Sequence, residues 1–185
     1  MNKQVWIEKA LGLGIQEFEI YQSTTVEKEM TWFQGQMDTL VSSKVTGTSI
    51  RGIVDGKMAN MALEEIDDSM CETVLKSLIE QAHIISNEET DSLRKPEPIE
   101  YVKKDVTWNM ASTEYVKDIL QSLEAKILAY DPRVIQVGYL GYCQGSGNRS
   151  IVNSLGMDVQ DADEMQYIVA SVVVKEEEEV KDASL

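Results

Sequence analysis

The stretch that most limits what this chain can become is Thr46–Asn60, T-G-T-S-I-R-G-I-V-D-G-K-M-A-N, because it spells out a β-hairpin. Ile50, Gly52 and Val54 alternate with Ser49, Arg51 and Ile53, the two-residue period of a strand with one buried face. Asp55-Gly56 supplies the dipeptide of a tight turn, and Lys57–Ala62 returns as the next strand. Far downstream, Ile168–Lys175 (I-V-A-S-V-V-V-K) offers a second strand ending in lysine, again preceded by an amphipathic helix and a run of strands. Together they suggest a duplicated unit.

Asn2–Leu13 places Val5, Ile7, Ala10 and Leu11 at near-helical spacing and stops at Gly12-x-Gly14. A strand follows from Glu17 to Phe33, Gly35 turns it, and Asp38–Lys44, Gly47–Val54 and Lys57–Leu63 bring the meander to four strands. Ile66, Met70, Val74, Leu78, Ala82 and Ile85 recur every three or four residues, the apolar stripe of a helix packed on a sheet. Asp67 or Ser69 would cap it, and Ser69 with Glu72 has capping-box spacing. Asn87–Pro98 is polar, holds two of the three prolines and reads as a linker, with a short extended piece at Tyr101–Trp108. A second helix runs over Ser112–Tyr130 and ends at Asp131-Pro132. Val134–Gln144, Asn148–Leu155 and Gln166–Val174 read as strands, the first two joined by a Gly145-Ser146-Gly147 loop and the last a buried central strand. Asp158–Glu164 reads either as a loop or as a short irregular strand.

The expected fold is therefore α+β, duplicated helix-plus-antiparallel-meander units forming two sheets with long helices packed on them. Residues 1–92 form the first half, 93–111 a linker with its short extended segment, and 112–185 the second half.

With 185 residues, 43% of them hydrophobic, the chain can bury a real core. A net charge of −15 argues against direct nucleic-acid binding, which draws on Lys and Arg, and against anionic membranes. Lys103-Lys104 is the only adjacent lysine pair. No apolar run is long enough to span a bilayer, and Met1–Gly14 carries Lys3, Glu8 and Lys9 where a signal peptide would be apolar, so a soluble, cytoplasmic protein is expected. Cys71 and Cys143 lie far apart and read as reduced, partly buried thiols.

Catalytic chemistry finds few candidates. The single histidine, His83, shares a helix with Glu80, whereas a zinc protease helix needs two imidazoles one turn apart. A nucleophilic triad would need His83 as its base, and no Gly-x-Ser-x-Gly elbow accompanies it. Gly12-x-Gly14 follows a helix, the wrong context for a dinucleotide loop. Glu176–Glu179 reads as a solvated acidic run in preference to a cation site. Glu64-Glu65 and Asp67-Asp68 suit the start of a helix. Trp6, Trp32 and Trp108 form no stacking platform, and Met58, Met61 and Met70 read as core filler. No catalytic and no metal residue is assigned, and the substrate-binding residues stay unknown.

Taken in order, Ala10-Leu11-Gly12-Leu13-Gly14-Ile15-Gln16-Glu17-Phe18-Glu19-Ile20-Tyr21 and Gly47-Thr48-Ser49-Ile50-Arg51-Gly52-Ile53-Val54-Asp55-Gly56-Lys57 resemble the start of the TldD/PmbA family, with Ser49 replacing one glycine of its Gly-x-Gly-x-Arg strand. Asp131-Pro132-Arg133 and Asn153-Ser154-Leu155-Gly156 are similar to the PmbA branch. The resemblance implies the non-catalytic amino-terminal domain of a peptidase-associated protein, followed by a β-rich carboxy-terminal domain. It further implies a TldD-like partner in a heterodimer. That partner alone would carry the divalent metal, zinc by expectation, on a His-Glu-x-x-x-His helix, and the pair would degrade or process unfolded peptides. No cofactor is expected in this chain, and a homodimer is compatible with it. The family label "modulator of DNA gyrase" finds no support in an acidic chain without a basic groove. A stand-alone interaction adaptor with no peptidase link is the alternative.

Overall fold

A computed structural model describes residues 1–86, 90–97 and 110–184. Helix α1 (Lys3–Gly12) leads into strands β1 (Glu17–Phe33), β2 (Gln36–Val54) and β3 (Lys57–Leu63), then a 3₁₀ turn at Asp68–Met70 and helix α2 (Cys71–Ile84). Helix α3 (Thr113–Tyr130) and strands β4 (Val134–Asn153), β5 (Asp158–Glu176) and β6 (Glu179–Ser184) follow. The six strands form one sheet in the order β3-β2-β1-β4-β5-β6. The expectation of two sheets is thereby overturned.

The physical reason lies in strand length. β2 has 19 residues and β4 has 20, far beyond the usual five or six, so interior polar and glycine residues look like breaks. The segments expected at Asp38–Lys44 and Gly47–Val54 are one strand, and Gly145-Ser146-Gly147 lies inside β4 and is no hairpin loop. A tight reversal needs positive φ, and neither Gly145 nor Gly147 has it. The true turns do: Gln34 and Gly35 sit at φ 49° and 78°, Asp55 and Gly56 at 49° and 74°. The second pair sets Val54 opposite Lys57 and Ile50 opposite Met61 in the antiparallel β2–β3 ladder. Asp158–Glu164 belongs to β5, which neighbours the edge strand β6 and leaves Tyr167 and Ile168 exposed, so it is not the buried central strand its Ile-Val run suggested.

The residues group into two compact units, each assembled from three stretches of chain. Unit 1 takes residues 1–24, 45–105 and 147–162; unit 2 takes residues 25–44, 106–146 and 163–185.

In unit 1, Asn2 caps α1 by accepting the Val5 N–H, and α1 buries Trp6, Ile7 and Ala10. Asp67 accepts the Ser69 N–H and caps the 3₁₀ turn; α2 itself starts without a side-chain cap, so the Ser69–Glu72 box does not form. α2 buries Cys71, Val74, Leu75, Leu78 and Ala82 against Phe18, Ile20, Ile50, Val54 and Ala59. Gly52 makes room for this layer: a Cβ there would stand 2.9 Å from Ile15 Cγ2 and 3.0 Å from Leu78 Cδ2. Residues 90–97 carry no helix or strand, as their composition predicts, yet they are held in place. The Asp91 N–H donates to Gly56 O, the Leu93 N–H to Glu17 Oε2 at 2.6 Å, and Leu93 is buried.

In unit 2, Ser112 caps α3 by accepting the Tyr115 N–H. Val116 and Leu120 pack with Met30, Trp32, Val137, Leu140 and Tyr142. The extended piece expected at residues 101–108, with Lys103, Lys104 and Trp108, lies outside the described residues.

Candidate functional site

Strand alternation generates the main polar group of unit 1. Phe18 and Ile20 enter the core beneath the helices, so Glu19 between them points to the other face of β1. Ile50 enters the same core, so Arg51 likewise faces away from it. There the Arg51 Nη2 lies 2.6 Å from Glu19 Oε1, and Nε donates to the same oxygen at 2.7 Å. The Glu19 side chain is only 4% exposed, whereas that of Arg51 is 43% exposed. The other carboxylate oxygen accepts from Asn153 Nδ2 at 3.2 Å.

Asn153 is buried and fully engaged. Its Nδ2 also donates to Arg94 O at 2.9 Å, while its Oδ1 accepts the Leu155 and Met157 N–H groups at 3.0 Å each. Ser154 fixes the strand end, its N–H donating to Phe18 O and its Oγ accepting the Phe18 N–H. Arg51 faces a hollow of about 250 Å³ lined by Glu19, Tyr21, Ser49, Arg51 and Ile151. A second hollow, about 330 Å³, shares Tyr21 and Ser49 and extends to Ser23, Ala62 and Leu63.

The arrangement suits hydrogen-bond donation. A carboxylate this buried is costly unless a cation and further donors compensate it, and here both do. Neither hollow is lined by an imidazole or a thiol among the described residues; their polar lining is hydroxyl, phenol, carboxylate and guanidinium.

Unit 2 has a different polar system. The Trp32 Nε1–H donates to Glu124 Oε2 at 2.8 Å and the Gly35 N–H to the same oxygen at 2.9 Å. Gln144 is fully buried; its Oε1 accepts from Tyr142 and from the Ala111 N–H, and its Nε2 has no partner among the described residues. Tyr139 lies across Gly141 and donates to Glu29 at 3.2 Å. Desolvation, then the Glu29 charge, pushes the Tyr139 phenol up, and its hydrogen bond with Cys143 does the same for Tyr167. Both phenols stay neutral at physiological pH.

Two family profiles match the chain: the PmbA/TldA metallopeptidase domain 1 over residues 18–86 and the PmbA/TldA metallopeptidase central domain over residues 107–184. The chain belongs to the TldD/PmbA family. Solved structures of similar fold include TldE from Thermococcus kodakarensis and a candidate modulator of a DNA gyrase from Thermotoga maritima MSB8, both at TM-score 0.78 and 18% identity. A candidate modulator of DNA gyrase from Bacteroides thetaiotaomicron VPI-5482 matches at TM-score 0.74 and 18% identity. Each match covers 98% of this chain but only 41% or 42% of the other, so the chain spans about two fifths of their length. A search of curated proteins finds no match.

The matched domains of the TldD/PmbA family are metallopeptidase domains, and a metal in this chain would need converging ligands. His83 Nε2 stands 3.7 Å from Asp55 Oδ2 with both side chains exposed, and Glu80 is exposed beside it. Cys71 is buried in the core, where desolvation raises its thiol, and Cys143 is a free thiol. Glu176 faces Arg133 at 3.5 Å and Glu179 faces Lys181 at 3.0 Å. Among the described residues no three His, Cys, Asp or Glu side chains converge, so the donor set does not fit zinc, which takes at least three protein ligands. Trp6 and Trp32 are core residues, and Met61 packs beside the unit 1 core while Met70 is exposed. No helix among the described residues is long and apolar enough to cross a membrane.

Sequence reasoning quoted Arg51 within a family motif but missed its partners. The available signal was Glu19 between Phe18 and Ile20: a charge inside an apolar strand invites the question of what neutralises it.

Proposed function

We propose that this TldD/PmbA-family chain is the non-catalytic amino-terminal part of a peptidase-associated protein of the TldE kind. A TldD-like partner would carry the metal and the hydrolytic step, and this chain, with its own carboxy-terminal domain, would help wall the space in which unfolded peptides are processed, in the cytoplasm. The observation that carries the reading is the succession of domain 1 and central-domain profiles along a chain with the fold of a TldE. Its sheet edges support it. Among the described residues β3 and β6 each pair on one side only, and an extended peptide can add to such an edge through main-chain hydrogen bonds that ignore sequence.

The test is cleavage of an unfolded peptide by the intact protein, mixed with a metal-loaded TldD-like protein and then without it. Cleavage is expected only in the mixture and is abolished by a chelator. Metal-dependent cleavage by the present chain alone would overturn the reading.

A further inference from the structure

We propose that Arg51 is a peptide-binding residue, its free guanidinium edge donating to main-chain carbonyl oxygens of an extended peptide seated over the hollow of Tyr21, Ser49 and Ile151. The inference rests on the peptide-handling role proposed above and names the group that would carry part of it.

The donor inventory comes first. A guanidinium has five N–H donors in a fixed plane. Arg51 directs Nε and Nη2 to the single oxygen Oε1 of Glu19 and makes no other hydrogen bond among the described residues. The edge away from Glu19 is left to the hollow, and the side chain stays 43% exposed.

The second argument is the depth of the support. Glu19 and Asn153 are 3% and 4% exposed. Asn153 clamps the far oxygen of Glu19, and two backbone N–H groups plus the Arg94 carbonyl fix Asn153 in turn. Arg51 is therefore held in one orientation before any ligand arrives, which lowers the ordering cost of binding. Stability alone gives little reason for such a construction. A buried ion pair is commonly no better than two well-packed apolar residues, and this strand face could have carried Ile or Val.

Charge and size choose the ligand. Glu19 already neutralises Arg51, and the chain carries −15 overall, so a second carboxylate would enter without net compensation. Neutral carbonyl oxygens incur no such repulsion. The hollow, about 250 Å³, lies below the usual range for a cofactor or drug-sized ligand, roughly 300–1,000 Å³. It suits one stretch of peptide backbone. Carbonyls recur along every peptide, so recognition through Arg51 would be indifferent to side chains.

The experiment titrates the full chain, with its Arg51 Nε–H followed by NMR, with an unstructured peptide acetylated and amidated at its ends. A saturable shift of the Arg51 signal is expected. Two variants test the assignment by binding affinity. Arg51→Lys keeps a cation beside Glu19 and removes the planar fork; Ser49→Phe fills the hollow and leaves the ion pair alone. Each should weaken binding about tenfold or more, with the unfolding midpoint of Ser49→Phe confirming an intact fold. Unchanged affinity in both variants would overturn the role of Arg51 while leaving peptide handling in place. Absence of any peptide binding would overturn both. Binding confined to peptides with a free carboxylate would overturn the carbonyl assignment.

Discussion

Glu19 in unit 1 and Glu124 in unit 2 are both nearly buried carboxylates, and each is compensated in a different currency of chemistry. Glu124 receives two neutral N–H donors, from Trp32 and from Gly35 in the β1–β2 turn, and so ties α3 to that turn. Glu19 receives a guanidinium that remains half in solvent. The first arrangement is closed and has the form of a structural brace. The second delivers donors to a hollow, and that openness is what separates a site from a brace.

The sharpest way to break the comparison is to remove the cation. Arg51→Met should destabilise the chain by about 3–5 kcal/mol in urea unfolding, because Glu19 is left buried with Asn153 as its one remaining side-chain donor among the described residues. The double variant Glu19→Met/Arg51→Met should regain most of that loss, since no uncompensated charge remains. A loss below about 1 kcal/mol for Arg51→Met would mean water reaches Glu19 and would dissolve the contrast.

Next in size is Glu124→Ala, which strips both donors of their acceptor and should cost about 2–3 kcal/mol. Glu124→Gln should cost under about 1 kcal/mol, because an amide oxygen accepts the same two N–H groups. Glu19→Gln should cost more than that, since only a carboxylate neutralises Arg51. Equal costs for the two glutamine variants would show that charge plays no part in unit 1.

Glycines extend the comparison from polar groups to packing. Gly52→Ala would press on Ile15 and Leu78, both fully buried, for a cost of about 1–3 kcal/mol. Gly141→Ala meets the ring of Tyr139, which is 40% exposed and can swing away, so the loss should stay below about 1 kcal/mol. The Tyr139–Glu29 bond would break in that variant, readable as a drop in the phenol's raised pKa.

The smallest effect concerns acid. Asp131 is held down to about 2 by hydrogen bonds from the Arg133 side chain and backbone N–H. Its folded value lies below the ordinary 3.8, so its contribution is present above about pH 4 and is lost as pH falls towards 2. Asp131→Asn should flatten the stability curve slightly in that window. An unchanged slope there would place the acid sensitivity elsewhere.

The helices were legible because their signals are local. Ser112 caps α3, Asp131 ends it, and α2 follows the Val74, Leu78, Ala82 period. The Asp55-Gly56 turn was legible for the same reason, since positive φ at two successive residues demands such a pair. Gly145 and Gly147 misled because glycine inside a strand and glycine in a turn look alike until φ is known. The Glu19–Arg51–Asn153 group was hidden more deeply. Its members come from three strands, and what joins them is which strands lie side by side, β2-β1-β4, an order that residue periodicity does not encode.

The composition of unit 1 has a consequence for the order of events during synthesis. Its last stretch is residues 147–162, so most of the chain must leave the ribosome before Asn153 can reach Glu19. Until then Glu19 sits in a nascent chain whose apolar partners are waiting, and pairing across more than a hundred residues is entropically slow. Phe18 and Ile20 can pack earlier, since their buried core partners all lie before residue 85; what the late stretch leaves uncovered for much of translation is the Glu19 face of β1, a window in which a chaperone has something to hold.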